Sequence, residues 1–145
     1  MRLNLRKTDS TFYQNLAVID KEIALSAIDR WHWEMIKIKA SQINGCAYCV
    51  DKHTQDALAL GINPRKVNLL SAWKEAKSHF SEEEQILLQL TEEITLIHQK
   101  GLTEETFQKC VSKFGEDITG KLIIAATLIN VWTRIGIALK MEPSF

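Results

Sequence analysis

Apolar residues recur along most of the chain at intervals of about three or four residues, which is the spacing of an amphipathic α-helix. The first series is Phe12, Leu16, Ile19 and Ile23, and it predicts a helix from about Ser10 to Ile28. We find no alternating segment bounded by hairpin turns, so the pattern predicts no strand. The hydrophobic pattern therefore predicts an all-α protein.

Capping residues and helix breakers divide the rest of the chain into further helices. Asn44-Gly45 suits a left-handed C-cap, and Ser81 to Glu84 forms a capping box. The predicted helices run from about Asp29 to Ile43, from Cys46 to before Gly61, from Asn63-Pro64 through Trp73, from Ser81 to before Gly101, from Thr103 through Phe114 and from about Asp117 to Lys140. They form a bundle of about six to seven helices.

Nothing in the sequence divides this bundle into parts. The chain has 145 residues and only two prolines, and no repeat, low-complexity tract or Pro/Gly-rich linker interrupts it. A chain of this length can bury about two thirds of its unfolded surface in one core. We therefore predict a single domain spanning residues 1–145.

Composition and charge narrow the classes of partner. The formal net charge is zero, with 46% hydrophobic and 25% charged residues. A chain without a basic surplus lacks the electrostatic footprint expected of a nucleic-acid-binding protein or of one that binds anionic membranes. We expect neither as a partner, and the low charge is compatible with self-association.

The termini and the longest apolar stretch bear on location. The first ten residues are basic but are not followed by an apolar core, so we expect no secretory signal. The stretch from Leu122 to Trp132 contains Thr127 and Asn130 and is too short to span a bilayer. A cytoplasmic location is therefore expected. In that reducing compartment, a close cysteine pair is more typical of catalysis, redox sensing or metal binding than of a structural disulfide.

Cys46, Cys49 and His53 form the most informative motif. At about 100° per residue, they fall within roughly 60° of one another on a helix surface. Both cysteines lie near the start of the predicted helix, where free backbone amides and the helix dipole favour a thiolate. The histidine can accept a thiol proton or stabilise the thiolate as a cation.

Other interpretations of the pair remain open. The two cysteines can be small apolar residues packed in a core. They can also be zinc ligands, although Cys46, Cys49 and His53 supply three ligands where a structural site needs four. Cys110 or an acidic residue would then complete the site. An iron–sulfur cluster is disfavoured because the chain has three cysteines rather than the usual four.

The stretch from Glu34 to His53 resembles the core motif of the alkyl hydroperoxidase D (AhpD) and carboxymuconolactone decarboxylase superfamily. The shared pattern is a glutamate twelve residues before Cys-x-x-Cys and a histidine four residues after the second cysteine. The resemblance continues to Gly61, so the core motif spans residues 34–61. The terminal helix, with Asn130, Trp132 and Arg134, resembles the family more weakly.

This resemblance implies an AhpD-like helical fold, a homo-oligomer (often a trimer or hexamer) and thiol-dependent peroxidase activity in antioxidant defence. Carried over to this chain, Cys49 attacks a small peroxide, Cys46 resolves the product as a disulfide, and Glu34 and His53 relay protons. No bound cofactor or metal is implied. The reductant would be a dithiol, such as a lipoyl group or a thioredoxin-like protein. Helix geometry alone does not rank the two sulfurs.

The chain departs from the best-known AhpD proteins at Tyr48, where they have a histidine between the cysteines. The family's decarboxylases generally lack the cysteine pair, so we do not expect lactone decarboxylation. Two other functions stay open. One is a redox-responsive, non-catalytic oligomeric module, and the other is a metal-stabilised structural domain.

Glu34 shares a largely apolar helical stripe with Trp31, Ile38 and Ser41. Burial there would suit it to proton transfer, whereas the alternative is a surface carboxylate paired with Lys37. Of the other candidates, Cys110 lies on an apolar stripe and is interpreted as a core thiol. The four tryptophans are expected in the core or at subunit interfaces. Asn130 and Arg134 are left between an interface, a substrate channel and the surface.

Overall fold

The computed structural model describes residues 1–8 and 10–144, and every regular element within those residues is helical. The α-helices are α1 (Leu5–Thr8), α2 (Ser10–Ala24), α3 (Arg30–Asn44), α4 (Ala47–Ala59), α5 (Pro64–Leu69), α6 (Glu82–Thr95), α7 (Ile97–Lys100), α8 (Glu104–Phe114) and α9 (Glu116–Ala138). Short 3₁₀ turns occupy Leu70–Ala72 and Lys77–His79. The all-α prediction is confirmed.

The predicted number of helices was too low. The described residues contain nine α-helices, partly because the helix expected from Ser81 to Gly101 is interrupted. Leu96 has φ −99° and ψ 40°, which ends α6 and separates it from α7. The first predicted helix also ends early, at Ala24. There the Ser26 hydroxyl donates to the carbonyl of Ile23 and turns the chain.

Helix α3 ends at the C-cap that the sequence predicts and begins at Asp29, where the sequence predicts the start of this helix without assigning a cap. The Asp29 side chain accepts hydrogen bonds from the amides of Trp31 and His32 at the start of the helix. Gly45 ends it with φ 72°, a left-handed conformation that favours glycine. This turn leads directly into Cys46, so the end of α3 sets where the cysteine pair begins.

Helix α3 lies at the centre of the bundle and packs against α4, α6 and α9. Its apolar side chains are fully buried at Met35, Ile36, Ile38 and Ala40. They meet buried side chains of α6 and α9: Leu87, Leu88, Leu90, Leu122, Ala125 and Ile129. Such close-packed interiors resist displacement, so α3 is a rigid support for the turn that follows it.

Buried carboxylates join the shorter helices to this core. Glu84 of α6 accepts hydrogen bonds of 2.6 Å from Trp31 Nε1 and from Lys66 Nζ. Burial alone would raise the pKa of Glu84, but hydrogen bonds from Lys66, Trp31 and Ser81 outweigh it and lower the pKa. Glu92 binds Trp73 and the buried Lys39 in a similar way.

Helix α9 has the length and apolar composition of a membrane-spanning helix. A core helix passes the same test, and nine α9 residues are buried within this chain. Its inner side contacts α3, α6 and α8.

The apolar series predicted for the first helix is only partly covered. Ile23 is 6% exposed, whereas Phe12 is 72% exposed and Ile19 is 42% exposed. Helix α2 reaches the bundle by an edge-to-face contact between Tyr13 and Trp132, whose ring centroids are 5.5 Å apart. Among the four residues of the series, Ile23 therefore belongs to the core of this chain and Leu16 packs against it.

Replacing Glu84 by glutamine tests the buried ion pair. A lowered pKa means that the charge of Glu84 stabilises the fold above the ordinary value of 4.5, and this contribution is lost as the pH falls through the lowered value. We expect E84Q to reduce the free energy of unfolding at neutral pH by about 1–3 kcal/mol. The free energy of unfolding of E84Q should also fall less steeply than that of the wild type as the pH is lowered. Urea unfolding across the pH range measures both effects.

The control for this experiment is E105Q. Glu105 is exposed and forms an exposed pair with Lys109, so we expect a change of at most about 1 kcal/mol. An E84Q protein that matched the control at every pH would contradict the assignment of Glu84 as a stabilising charge.

Candidate redox-active site

Cys46 and Cys49 are joined by a disulfide across the first turn of α4, with their Cα atoms 5.3 Å apart. Cys46 is the N-cap residue of α4, and its Sγ accepts a hydrogen bond of 3.3 Å from the amide of Cys49. Both residues are buried, at 2% and 4% exposure. The structure therefore places the pair at a helix N-terminus, as the sequence predicts, and shows it oxidised.

Glu34 and His53 are brought together from different helices. Glu34 lies in the first half of α3, and its Oε2 is 3.1 Å from Nδ1 of His53 on α4. Each side chain is 12% exposed, so the contact is largely shielded from water. His53 follows Cys49 by one helical turn, so the two residues share a face of α4. The two predicted relay residues thus contact each other across the interface between α3 and α4.

Lys37 is a member of this cluster that the sequence analysis did not select as a site residue. Its Nζ is 2.6 Å from Oε1 of Glu34 and 4.6 Å from the ring centroid of Trp33. The expected alternatives for Glu34 were a buried relay and a surface pair with Lys37. The structure combines them, because Glu34 pairs with Lys37 on a buried face. The spacing of three residues between acid and base was the available signal.

Asp56 lies near the same nitrogen of the histidine ring as Glu34. Its Oδ2 is 3.5 Å from His53 Nδ1 and 2.8 Å from Lys52 Nζ. Burial opposes ionisation of Asp56, but the hydrogen bond from Lys52 and the neighbouring positive charges together outweigh it and lower the pKa of this carboxyl. Nδ1 of His53 therefore lies close to two carboxylates, each paired with a lysine.

This cluster is poorly suited to a metal ion. Ligand atoms of Glu34, His53 and Asp56 lie within 4.8 Å of one another. However, the ammonium groups of Lys37 and Lys52 already bind both carboxylates, and they would repel a cation. The zinc interpretation based on Cys46, Cys49 and His53 needs thiolates, whereas the two sulfurs are bonded to each other here.

Gly136 of α9 packs directly against the disulfide. A Cβ at this position would lie 3.2 Å from Sγ of Cys46 and 3.5 Å from Sγ of Cys49. A larger residue would thus press on both sulfurs. The sequence analysis missed this contact because a glycine within an apolar helix carries no pattern that identifies its neighbour.

A polar network fixes the end of α3 to α9. The side-chain amide of Asn44 donates to Oδ1 of Asn130 and to Oγ1 of Thr133, both at 2.9 Å. Asn130 is buried and donates to Thr95, while Arg134 donates to Asn130. Asn130 is therefore a structural link next to the cysteine turn, which excludes a purely surface role for it.

Cys110 lies apart from this site as a fully buried free thiol on α8. Burial raises the pKa of Cys110 to about 11, and the charge of Glu93 adds to the effect. The interpretation of Cys110 as a core thiol agrees with its position. Trp31, Trp33 and Trp73 are also buried, and Trp132 packs against the core.

Comparison with known proteins now decides the family. The model of the carboxymuconolactone decarboxylase family matches residues 12–92, a span that includes Glu34, Cys46, Cys49 and His53. The chain belongs to the carboxymuconolactone decarboxylase family. The predicted AhpD-like and carboxymuconolactone decarboxylase relationship is confirmed.

A curated relative of this family member is the uncharacterized protein YdfG of Bacillus subtilis (strain 168). The two are 38% identical over 121 residues, which cover 83% of this chain and 82% of the relative. Its description assigns no activity, so this relative supports membership of the family and not a reaction.

Two solved structures resemble this family member in fold. One, from Agrobacterium tumefaciens, is described as a protein of unknown function proposed to be the antioxidant defence protein AhpD. It has a TM-score of 0.94 and 28% identity and covers 99% of each chain. The other is an uncharacterized peroxidase-related protein from Silicibacter sp. TM1040. It has a TM-score of 0.77 and 19% identity and covers 90% of this chain and 69% of the other.

Replacing Gly136 by leucine tests the contact between α9 and the disulfide. The added side chain meets both sulfurs, so we expect the free energy of unfolding to fall by about 1–3 kcal/mol. The matched control is Gly120→Leu on the same helix, where a Cβ meets nothing within 4 Å. Equal stability of the two variants in chemical unfolding would show that Gly136 is not tightly packed.

Thiol reactivity should separate Cys110 from the cysteine pair. A pKa of about 11 leaves Cys110 protonated at neutral pH, whereas the N-terminus of α4 favours a thiolate on the reduced pair. After reduction of the native protein, we expect iodoacetamide to label Cys46 or Cys49 and to leave Cys110 unmodified by peptide mass spectrometry. Labelling of Cys110 at a comparable rate would contradict its assignment as an inert core thiol, and unfolded protein provides the fully labelled control.

Proposed function

We propose that this protein is a thiol-dependent peroxidase, an oxidoreductase that reduces hydrogen peroxide or an alkyl hydroperoxide in antioxidant defence. The observation that carries the proposal is the Cys46–Cys49 disulfide at the start of α4, one turn before a histidine that contacts Glu34. Membership of the carboxymuconolactone decarboxylase family supports it. So does the fold shared with a solved protein proposed to be AhpD.

The first step forms a sulfenic acid on Cys49. His53, oriented by Glu34, accepts the thiol proton of Cys49. The thiolate attacks the terminal OH oxygen of the hydroperoxide. The O–O bond breaks, the OH group stays on sulfur as a sulfenic acid, and the sulfur is thereby oxidised. The departing alkoxide or hydroxide takes the proton back from the relay and leaves as an alcohol or as water.

The second step restores a disulfide. The thiol of Cys46 attacks the sulfenic acid of Cys49, forming the S–S bond and releasing water. An external dithiol then reduces this disulfide and becomes oxidised itself. Over one cycle a hydroperoxide and a dithiol are converted into an alcohol, water and a disulfide, so atoms and electrons balance without a bound cofactor or metal.

The environment of Cys46 suits it to the resolving role. Its Sγ already accepts the amide of Cys49 at the N-terminus of α4. This hydrogen bond and the helix dipole stabilise negative charge on Cys46. When a reductant attacks Cys49, Cys46 is therefore a good leaving thiolate. The assignment of Cys49 as the attacking residue follows the resemblance to the family.

The proposed reductant is a small dithiol, a lipoyl group or a thioredoxin-like protein. Cys46 and Cys49 are almost completely buried, which favours a slender reductant such as a lipoyl arm over a broad protein surface. We also propose a cytoplasmic location, where such reductants maintain free thiols.

A homo-oligomer, as a trimer or hexamer, completes the proposal. Several large apolar side chains are exposed on α2, directly after it and on α9, namely Val18, Ile19, Leu25, Ile124 and Ile137. Contiguous exposed apolar surface is typical of interfaces between subunits. A second copy of the chain would cover these helices.

A redox-responsive module is the second candidate function. The sulfurs contact α9 at Gly136, so a change in their bonding acts directly on a helix whose outer face exposes apolar residues. In this case, disulfide formation would alter assembly and peroxide turnover would be negligible.

Steady-state reduction of peroxide by a dithiol donor tests the main proposal. We expect the wild type and C110S to turn over, and C49S and C46S to lose activity. We expect E34Q to fall by about 100-fold or more, because a relay of this kind contributes about 10²–10⁴-fold. C110S is the matched cysteine control, since Cys110 is a free thiol on α8 that is buried in the core of the protein, apart from the disulfide.

Other outcomes identify the alternatives. Full activity of C49S would contradict the peroxidase mechanism. An inactive wild type whose oligomeric state changes on reduction would support the redox-responsive module. Stoichiometric zinc that is lost together with the fold on chelation would support a metal-stabilised domain.

A further inference from the structure

The buried lysine beside the relay has no role in the mechanism above. The side chain of Lys37 is only 7% exposed, and lysine is rarely buried unless its charge is paired. Its ammonium group lies 2.6 Å from Oε1 of Glu34 and 4.6 Å from the ring centroid of Trp33. The carboxylate and the aromatic face thus hold the ammonium group in place.

This ion pair orients the carboxylate of Glu34 relative to the His53 ring. With Oε1 bound to Lys37, the carboxylate turns Oε2 toward Nδ1 of His53 at 3.1 Å. An ionised carboxylate accepts hydrogen bonds and cannot donate them. The contact therefore requires a proton on Nδ1, and the neutral imidazole then keeps its lone pair on Nε2.

We propose that Lys37 is a positioning residue that fixes the Nδ1–H tautomer of His53 by holding Glu34 as a hydrogen-bond acceptor. One consequence of this inference rests on the proposed function: in a peroxidase, Nε2 would be the atom that receives the thiol proton. The tautomer itself is a property of the folded protein and is measurable without any substrate.

The charges around His53 agree with this role. Lys37 balances Glu34, and Lys52 balances Asp56, the second carboxylate near Nδ1. With a neutral His53, the two lysines and the two carboxylates leave this cluster without net charge. Asp56 is 41% exposed and 3.5 Å from the ring, so it is the weaker of the two acceptors.

Nitrogen NMR of the oxidised protein tests the proposal. In the neutral imidazole, ¹⁵N shifts distinguish the Nδ1–H from the Nε2–H tautomer, and a series of spectra at increasing pH identifies the neutral form. H53Q assigns the signal. We expect the wild type and K37R to show the Nδ1–H form, and K37M to lose it in favour of a mixture. In the peroxide assay, K37M should lower kcat by about tenfold or more and leave KM for peroxide unchanged.

K39M is the matched control. Lys39 lies on the same helix, its side chain is also 7% exposed, and it pairs with Glu92 at 3.3 Å, outside the relay. It should lose stability as K37M does and keep the Nδ1–H form of His53. If K37M does not fold, K37Q replaces it, since it removes the charge with a smaller change in polarity.

An unchanged Nδ1–H tautomer in K37M, or in K37Q where that replaces it, overturns the proposal. So does the same loss in K39M. Different results contradict the peroxidase function and the positioning role of Lys37. A wild type without peroxidase activity whose tautomer still depends on Lys37 contradicts the function alone. An active wild type whose tautomer is independent of Lys37 contradicts the positioning role alone.

Discussion

The contact between Glu34 and His53 connects the two parts of this molecule that matter for its chemistry. Glu34 belongs to the central helix α3, which is locked in the core, while His53 belongs to α4, which begins at the cysteines. The two helices meet in this geometry because Gly45 turns the chain between them in a left-handed conformation. The relay and the disulfide therefore have a fixed relationship, set by the packing of α3.

The disulfide and its neighbours are supported by helices that pack closely in the core. The disulfide crosses the first turn of α4, and α9 closes over it where Gly136 leaves room for both sulfurs. Asn44 ties the end of α3 to Asn130 and Thr133 of α9. Such supports hold reacting groups in place, which is how a preorganised site lowers a barrier.

The sequence predicted those features that depend on local pattern. The C-cap at Gly45, the capping box at Ser81 and the helical placement of Cys46, Cys49 and His53 follow from residue types at fixed spacing. The break at Leu96 was missed because an apolar residue in an apolar series gives no sign of a changed backbone angle.

Contacts between distant segments were harder to foresee. Burial of Glu34 was predicted, but Lys37 entered only the alternative in which Glu34 is a surface carboxylate, because helical spacing does not show that neighbouring helices also bury a lysine on this face. The contact of Gly136 with the sulfurs joins residues that are far apart in the chain. The exposed part of α2 is the opposite case, since its apolar series predicts burial that the chain alone does not supply.

The central claim is that Cys49 attacks peroxide with the help of its buried neighbours, and trapping the sulfenic acid tests it most directly. In C46S no resolving thiol remains, so one equivalent of peroxide should leave a sulfenic acid on Cys49 that dimedone captures, as identified by peptide mass spectrometry. The account predicts an adduct on Cys49 in C46S, formed more slowly when Glu34 is replaced by glutamine. Absence of that adduct, together with an adduct on Cys46 in C49S, would contradict it.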